Sequence, residues 1–290
     1  MNRKTKGFTL IEIAIVLAII GIIASSILMP MAQQVKSVKI AETKAKIAEV
    51  KEALIGFAIA NGRLPCPATI SSQGREHPTG GGNCTTAHGF IPYETLGIKG
   101  TINNDNLYLD PWGNPLGYSI TVRDINNNNR NDFTTAGELQ NIINDATLLD
   151  NNSQQLGIRA LTLSFVEAAG WPANPCRFNG NTNCNDLEVN QSTLSVSTTF
   201  TTEAPAVIYS LGENWKDYYM GGSGLPSALE AENIGTNING SRVYRVASNT
   251  RFIHHEHSEQ NGNEYDDIVD WLSKKILISK LLAAGQITAP

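Results

Sequence analysis

Three groups of residues in this chain could do chemistry. Glu12 is the one carboxylate in an apolar run from Phe8 to Met29, whose other clearly polar side chains are Thr9, Ser25 and Ser26. At mid-bilayer such a carboxylate costs on the order of 2.5–3.5 kcal/mol, so it marks a partner charge or donor. The second group is the stretch DINNNNRND from Asp124, where Asp124, Asn126, Asn128 and Asp132 fall at positions 1, 3, 5 and 9 of a Ca2+-binding loop. Arg130 could add its carbonyl at position 7, but Asn129 stands where the turn glycine belongs and Thr135 where the bidentate acid belongs. A solvated Asn-rich hairpin is the competing reading. The third group is His254, His255, Glu256 and His257. On a strand, His255 and His257 face one side and His254 and Glu256 the other, so no four-ligand zinc site forms locally. The sequence has no H-E-x-x-H spacing, no G-x-S-x-G elbow and no P-loop. The glycine runs at Gly80 and Gly221 read as turns.

Elements must position these groups. From Phe8 to Met29 roughly 22 residues at ~1.5 Å each reach about 33 Å, enough to cross a bilayer core of ~30 Å. Arg3, Lys4 and Lys6 precede the run with no acid among them. This bias keeps the N-terminus cytoplasmic and exports the remainder. Past Pro30, expected to kink or loosen the helix, an Ala-, Lys- and Glu-rich segment predicts continuation to a stop at Asn61-Gly62. Ile40, Ile47, Val50, Leu54 and Phe57 form its apolar stripe, which should cover a sheet. Strands are predicted from Leu116, Ala160, Thr193, Ala206 and Arg242, and an amphipathic helix over Tyr265–Gly285, with Asp266, Asp267 and Asp270 near its start and Lys274, Lys275 and Lys280 later. Asp110-Pro-Trp-Gly-Asn-Pro reads as a turn whose Trp112 plugs a sheet edge. Strands and helices do not alternate, which disfavours a doubly wound sheet. The fold class is α+β: a long N-terminal helix, half transmembrane and half amphipathic, packed on an antiparallel sheet with long loops and a C-terminal helix.

Cys66, Cys84, Cys176 and Cys184 are an even count in a chain bound for an oxidising compartment, so structural disulfides are expected. Of three possible connectivities, neighbour pairing, Cys66 with Cys84 and Cys176 with Cys184, is expected. A formal net charge of −5 and the lack of a basic tract past the first residues give no sign of nucleic-acid binding.

The residues Lys6-Gly7-Phe8-Thr9-Leu10-Ile11-Glu12 resemble the class III leader of type IV pilins and type II secretion pseudopilins. The resemblance implies cleavage after Gly7 by a prepilin peptidase, methylation of the new N-terminal Phe8, and docking of Glu12 on the N-terminal amine of a neighbouring subunit. It divides the chain into a leader (1–7), a transmembrane and assembly helix (8–30), an amphipathic helix (31–62) and a periplasmic pilin-like domain (63–290). Further stretches from Gly62, Gly89, Asp110, Val207 and Tyr265 look like the signposts of large minor pilins. The chain departs from short major pilins in length, and from the largest tip pseudopilin in keeping Glu12. The implied partners are other pilin subunits, the prepilin peptidase, an inner-membrane assembly platform and the lipid bilayer. No cofactor is required, with calcium as an option that some pseudopilins share. The role implied is assembly, not catalysis. Competing readings are a secretory signal cut after Ser26, a plain uncleaved signal anchor, a signal-anchored periplasmic hydrolase using the histidine cluster and a carboxylate, and a tip adhesin.

Overall fold

Helix α1 (Leu10–Asn61) is 52 residues long and runs unbroken through Pro30. It ends where the sequence predicts, with Gly62 in the left-handed region at φ 66°. The computed structural model describes residues 9–148, 153–155, 157–158, 161, 187–193, 196–214, 227–234, 237–239, 242–244, 251–259 and 264–288, without the side chains of 24–32 and of several strand positions. Two units divide the chain, Met1–Glu42 and Thr43–Pro290. In the first, every described side chain from Leu10 to Ile23 is exposed. Among the described residues no helix has an apolar run long enough to cross a membrane.

The second unit is built on an antiparallel sheet in the order β1-β2-β5-β9: β1 (His88–Phe90), β2 (Gly117–Ile120), β5 (Ala206–Ser210) and β9 (Ile268–Leu272). One face, with Tyr118, Ile120, Ile208 and Leu272, shares a core with Ile47, Val50, Leu54, Ile55 and Ala58 of α1. Leu277, Ile278 and Leu281 of α5 (Lys274–Ala283) join the same core. The opposite face, with Val207, Tyr209 and Val269, packs on Leu187, Val189 and Phe252. These last belong to a second sheet, order β4-β3-β8, from β3 (Leu187–Thr193), β4 (Val196–Ala204) and β8 (Arg251–Ile253). β5 is thus covered on both sides, which is why it reads as an uninterrupted apolar run. Gly117 lies opposite Tyr209, and a Cβ there would come within 2.2 Å of the tyrosine ring. Short elements complete the unit: α2 (Tyr93–Leu96), α3 (Glu138–Asn144), α4 (Ala228–Ile234) and the pair β6 (Asn237–Asn239) and β7 (Arg242–Tyr244).

Three expectations change. The segment expected as one C-terminal helix from Tyr265 is a strand followed by a helix: β9 pairs with β5 from Ile268↔Ser210 to Leu272↔Ala206, and α5 starts after Ser273, which stands at its N-terminus without a side-chain capping bond. Its β-branched Ile268 and Val269 and its Trp271 favour the pleated edge position. Asp270 stays in the sheet, paired with Ile208, and its side chain meets Lys51 of α1 at 2.8 Å. Antiparallel pairing is not universal either, because β3 and β8 are parallel, as strands far apart in sequence can be. Of the strand expected over Ala160–Val166, only Leu161 is among the described residues, and it is helical.

Candidate functional site

At the N-terminus of α1 the side chain of Glu12 folds back on Thr9. The Thr9 amide and hydroxyl both donate to Glu12 Oε2 at 3.0 Å, and the Glu12 amide donates to Thr9 Oγ1 at 3.3 Å. This is a reciprocal capping box, in which two orphan helix donors are met by side chains. It gives the carboxylate local donors within its own chain. Gly7 and Phe8 lie outside the described residues.

The Asn-rich loop is less solvated than expected, for Asp124 and Asp132 are both buried. Asp124 accepts the amides of Asn128 at 3.0 Å and Asn129 at 2.7 Å. Asn127 and Asn129 take left-handed φ values of 56° and 63°, a conformation that Asn tolerates. Asp132 turns away to pair with Arg123 Nε at 2.6 Å and to accept the Ile125 amide at 3.1 Å. The side chains of Asn126 and Asn128 meet instead at Glu138, donating to its Oε1 at 2.8 and 2.6 Å. Glu138, buried at the start of α3, escaped the sequence reading because it lies three residues beyond the position a standard loop reserves for its acid. Burial pushes the Asp124 carboxyl up, the amides of Asn128 and Asn129 pull it back, and Glu138 adds to the rise. Arg130 is exposed, its amide bonded to Asn128 Oδ1 at 2.9 Å.

The histidines do not alternate on a strand, since β8 ends at Ile253 and residues 254–257 follow it in irregular chain. His254 Nδ1 lies 2.6 Å from the Val269 carbonyl, and its ring stands edge-on to Phe200 and Trp271. His255 Nδ1 meets the Glu256 carbonyl at 2.6 Å. The only group of three carboxylates among the described residues that converges tightly is Glu230, Asp266 and Asp267. Glu230 forms a capping box with Ser227 at the start of α4 and also accepts the Asp266 amide. Asp266 accepts the amides of Glu213 and Asn214. Glu230 and Asp266 thus organise backbone, and Asp267 accepts the Asn233 side-chain amide at 2.9 Å.

Asp110 anchors the turn read from the sequence. Its Oδ1 accepts the amides of Trp112 and Asn114, and its Oδ2 accepts the Ser210 hydroxyl at 2.6 Å. Trp112 is half-buried. Burial raises the Asp110 carboxyl from its ordinary value even against these donors. The folded state therefore holds the proton more tightly than the unfolded chain. Its contribution to stability is full below the unfolded value and is lost as pH rises through the folded one. Asp110→Asn keeps an oxygen for the two amides and lacks the charge, so its melting temperature relative to wild type should rise over the pH range that begins at about 4, the unfolded value. A constant difference across that range would remove the assignment.

Cys66 and Cys84 are joined by a disulfide with a Cα–Cα distance of 5.4 Å. Cys176 and Cys184 lie outside the described residues. Residues 2–28 match the prokaryotic N-terminal methylation motif. Comparison of the chain with curated proteins and with solved structures found no match.

Proposed function

The methylation motif is the hallmark of type IV pilin and pseudopilin precursors, which prepilin peptidase processes, and on that premise we propose that this chain is a large minor pilin or pseudopilin subunit. It is cut after Gly7 and methylated on Phe8, holds its globular domain in the periplasm, and enters a pilus or pseudopilus through its N-terminal helix. The observation that carries this reading is the motif over residues 2–28. The exposed apolar surface of Leu10 to Ile23 and the single carboxylate within it support it. The membrane segment proposed is 8–30, orientated by Arg3, Lys4 and Lys6. A free α-ammonium on Phe8 would lie four residues before Glu12, within reach of the carboxylate that Thr9 holds. Mass spectrometry of the membrane-bound chain, made with and without prepilin peptidase, should find methylated Phe8 as the first residue only when the enzyme is present. An N-terminus at Met1 or Asn2 in both samples, or at a residue beyond Ser26, would exclude the processing proposed.

Calcium enters as an optional ligand of the Asn-rich loop, with Asp124, Asn126, Asn128 and the Arg130 carbonyl as oxygen donors. Glu138 replaces the acid that Thr135 lacks, and Asp132 stays with Arg123. In favour of this reading, Asn126 Oδ1 is buried without a hydrogen-bond partner while its amide nitrogen contacts Glu138. The full chain in detergent should melt higher with millimolar Ca2+ than with chelator, by about 2.7 kcal/mol at a hundredfold excess over Kd. Asp124→Ala should abolish that increment. Equal melting in both conditions removes the site.

A further inference from the structure

The segment closed by Cys66–Cys84 is bonded to the Asn-rich loop and the residues after it at its Cys84 end, through Gly82 and Asn83, and Leu64, just before Cys66, adds a further bond. The Leu64 amide donates to the Phe133 carbonyl at 2.7 Å and the Gly82 amide to the Thr134 carbonyl at 2.8 Å. The Thr134 hydroxyl returns a bond to the Gly82 carbonyl at 2.6 Å. Asn83, beside Cys84, bridges the two segments: its Nδ2 donates to the Asn129 carbonyl at 2.8 Å, and its Oδ1 accepts the Asn131 amide at 3.0 Å. Asn129, like Asn127 two residues before it, is held at positive φ, a conformation that persists where surrounding contacts over-determine it. Gly80, Gly81 and Gly82 also have positive φ, so little in their own backbone preference would keep Asn83 in place. The covalent tie at the next residue does that.

We propose that the Cys66–Cys84 bridge is a redox-sensitive latch that holds the Asp124–Thr134 loop in its bonded form, and that reduction by a dithiol releases it. Cys66 is fully buried and Cys84 half-buried, so the reductant meets Cys84 first. Its thiolate bonds to Cys84 Sγ, the S–S bond breaks, and Cys66 leaves as a thiolate that takes a proton. The second thiol of the reductant then displaces this mixed disulfide, leaving Cys84 as a thiol and the reductant as its own disulfide. Two electrons and two protons pass to the bridge. Asn83 then loses its anchor, and the Asn129 and Asn131 contacts open. The ladder of β2, β5 and β9 contains neither cysteine and keeps its pairing.

Hydrogen exchange on the full chain in detergent micelles, before and after dithiothreitol, reads this directly. Peptides covering residues 128–135 should exchange at least ~10-fold faster after reduction, while those covering β2 and β5 do not change. A Cys66→Ser, Cys84→Ser double variant separates this bridge from Cys176 and Cys184. Asn83→Ala, with the bridge intact, should reproduce most of the loop's loosening and does not depend on the double variant folding. Unchanged exchange at 128–135 on reduction, an increase shared equally by β2 and β5, or a loop unaffected by Asn83→Ala would each overturn the latch.

Discussion

Replacing Glu76 by Ala should destabilise the domain by about 3–5 kcal/mol, the cost of leaving one member of a buried ion pair alone. Arg63, just past the end of α1, is 7% exposed and Glu76 is 5% exposed. The two meet through parallel bonds, Nη1 to Oε2 and Nη2 to Oε1, both at 2.8 Å. The carboxylate also accepts the amides of Cys66 and Gly80, each at 3.2 Å, so its loss leaves two backbone donors as well as a guanidinium. Arg63 is further held over the Phe57 ring of α1 and donates to the Leu64 carbonyl. The pair thus fixes the direction in which the chain leaves the helix. For a domain of this size the loss corresponds to a fall in melting temperature on the order of 10 °C. An Arg63→Met, Glu76→Leu double variant should lose clearly less than the sum of its single variants, because neither charge is then stranded. Thermal melts of the full chain in detergent decide it: a Glu76→Ala loss below about 1 kcal/mol would mean that the pair is solvated.

Much of this architecture is legible in residue order. The helix stop at Asn61-Gly62, the Asp110 turn and the apolar stripe of Ile47, Val50 and Leu54 follow from backbone and packing rules that act within a few residues. What could not be read depends on distant partners. Ile268 to Leu272 has spacing that suits a helix or a strand, and pairing with β5 settles the choice. Asp266 and Asp267, expected as a helix start, are buried just before that strand, with Asp266 holding the amides of Glu213 and Asn214. Glu138 reaches the Asn-rich loop from the next helix, where no loop template places an acid. The Thr9–Glu12 capping box differs from these: Thr-x-x-Glu before an apolar run is its full local signature, and it was readable from the sequence.

That box bears on the central proposal, because Glu12 lies in the unit up to Glu42 and the sheets lie in the other. Removing its carboxylate should therefore leave the folded domain unaffected and act on assembly. In a low-dielectric layer a carboxylate placed for a neighbouring subunit's amine supplies an attraction that Ala cannot. Gln, which can still accept from Thr9 but carries no charge, separates the cap from the ion pair. The direct measurement is the amount of this chain in filaments sheared from cells making wild type, Glu12→Ala or Glu12→Gln at equal membrane levels, with the domain's melting temperature followed alongside. Either variant should be at least ~10-fold less abundant in the filaments, the equivalent of about 1.4 kcal/mol of assembly free energy, with melting unchanged. Equal incorporation of Glu12→Ala and wild type would contradict it.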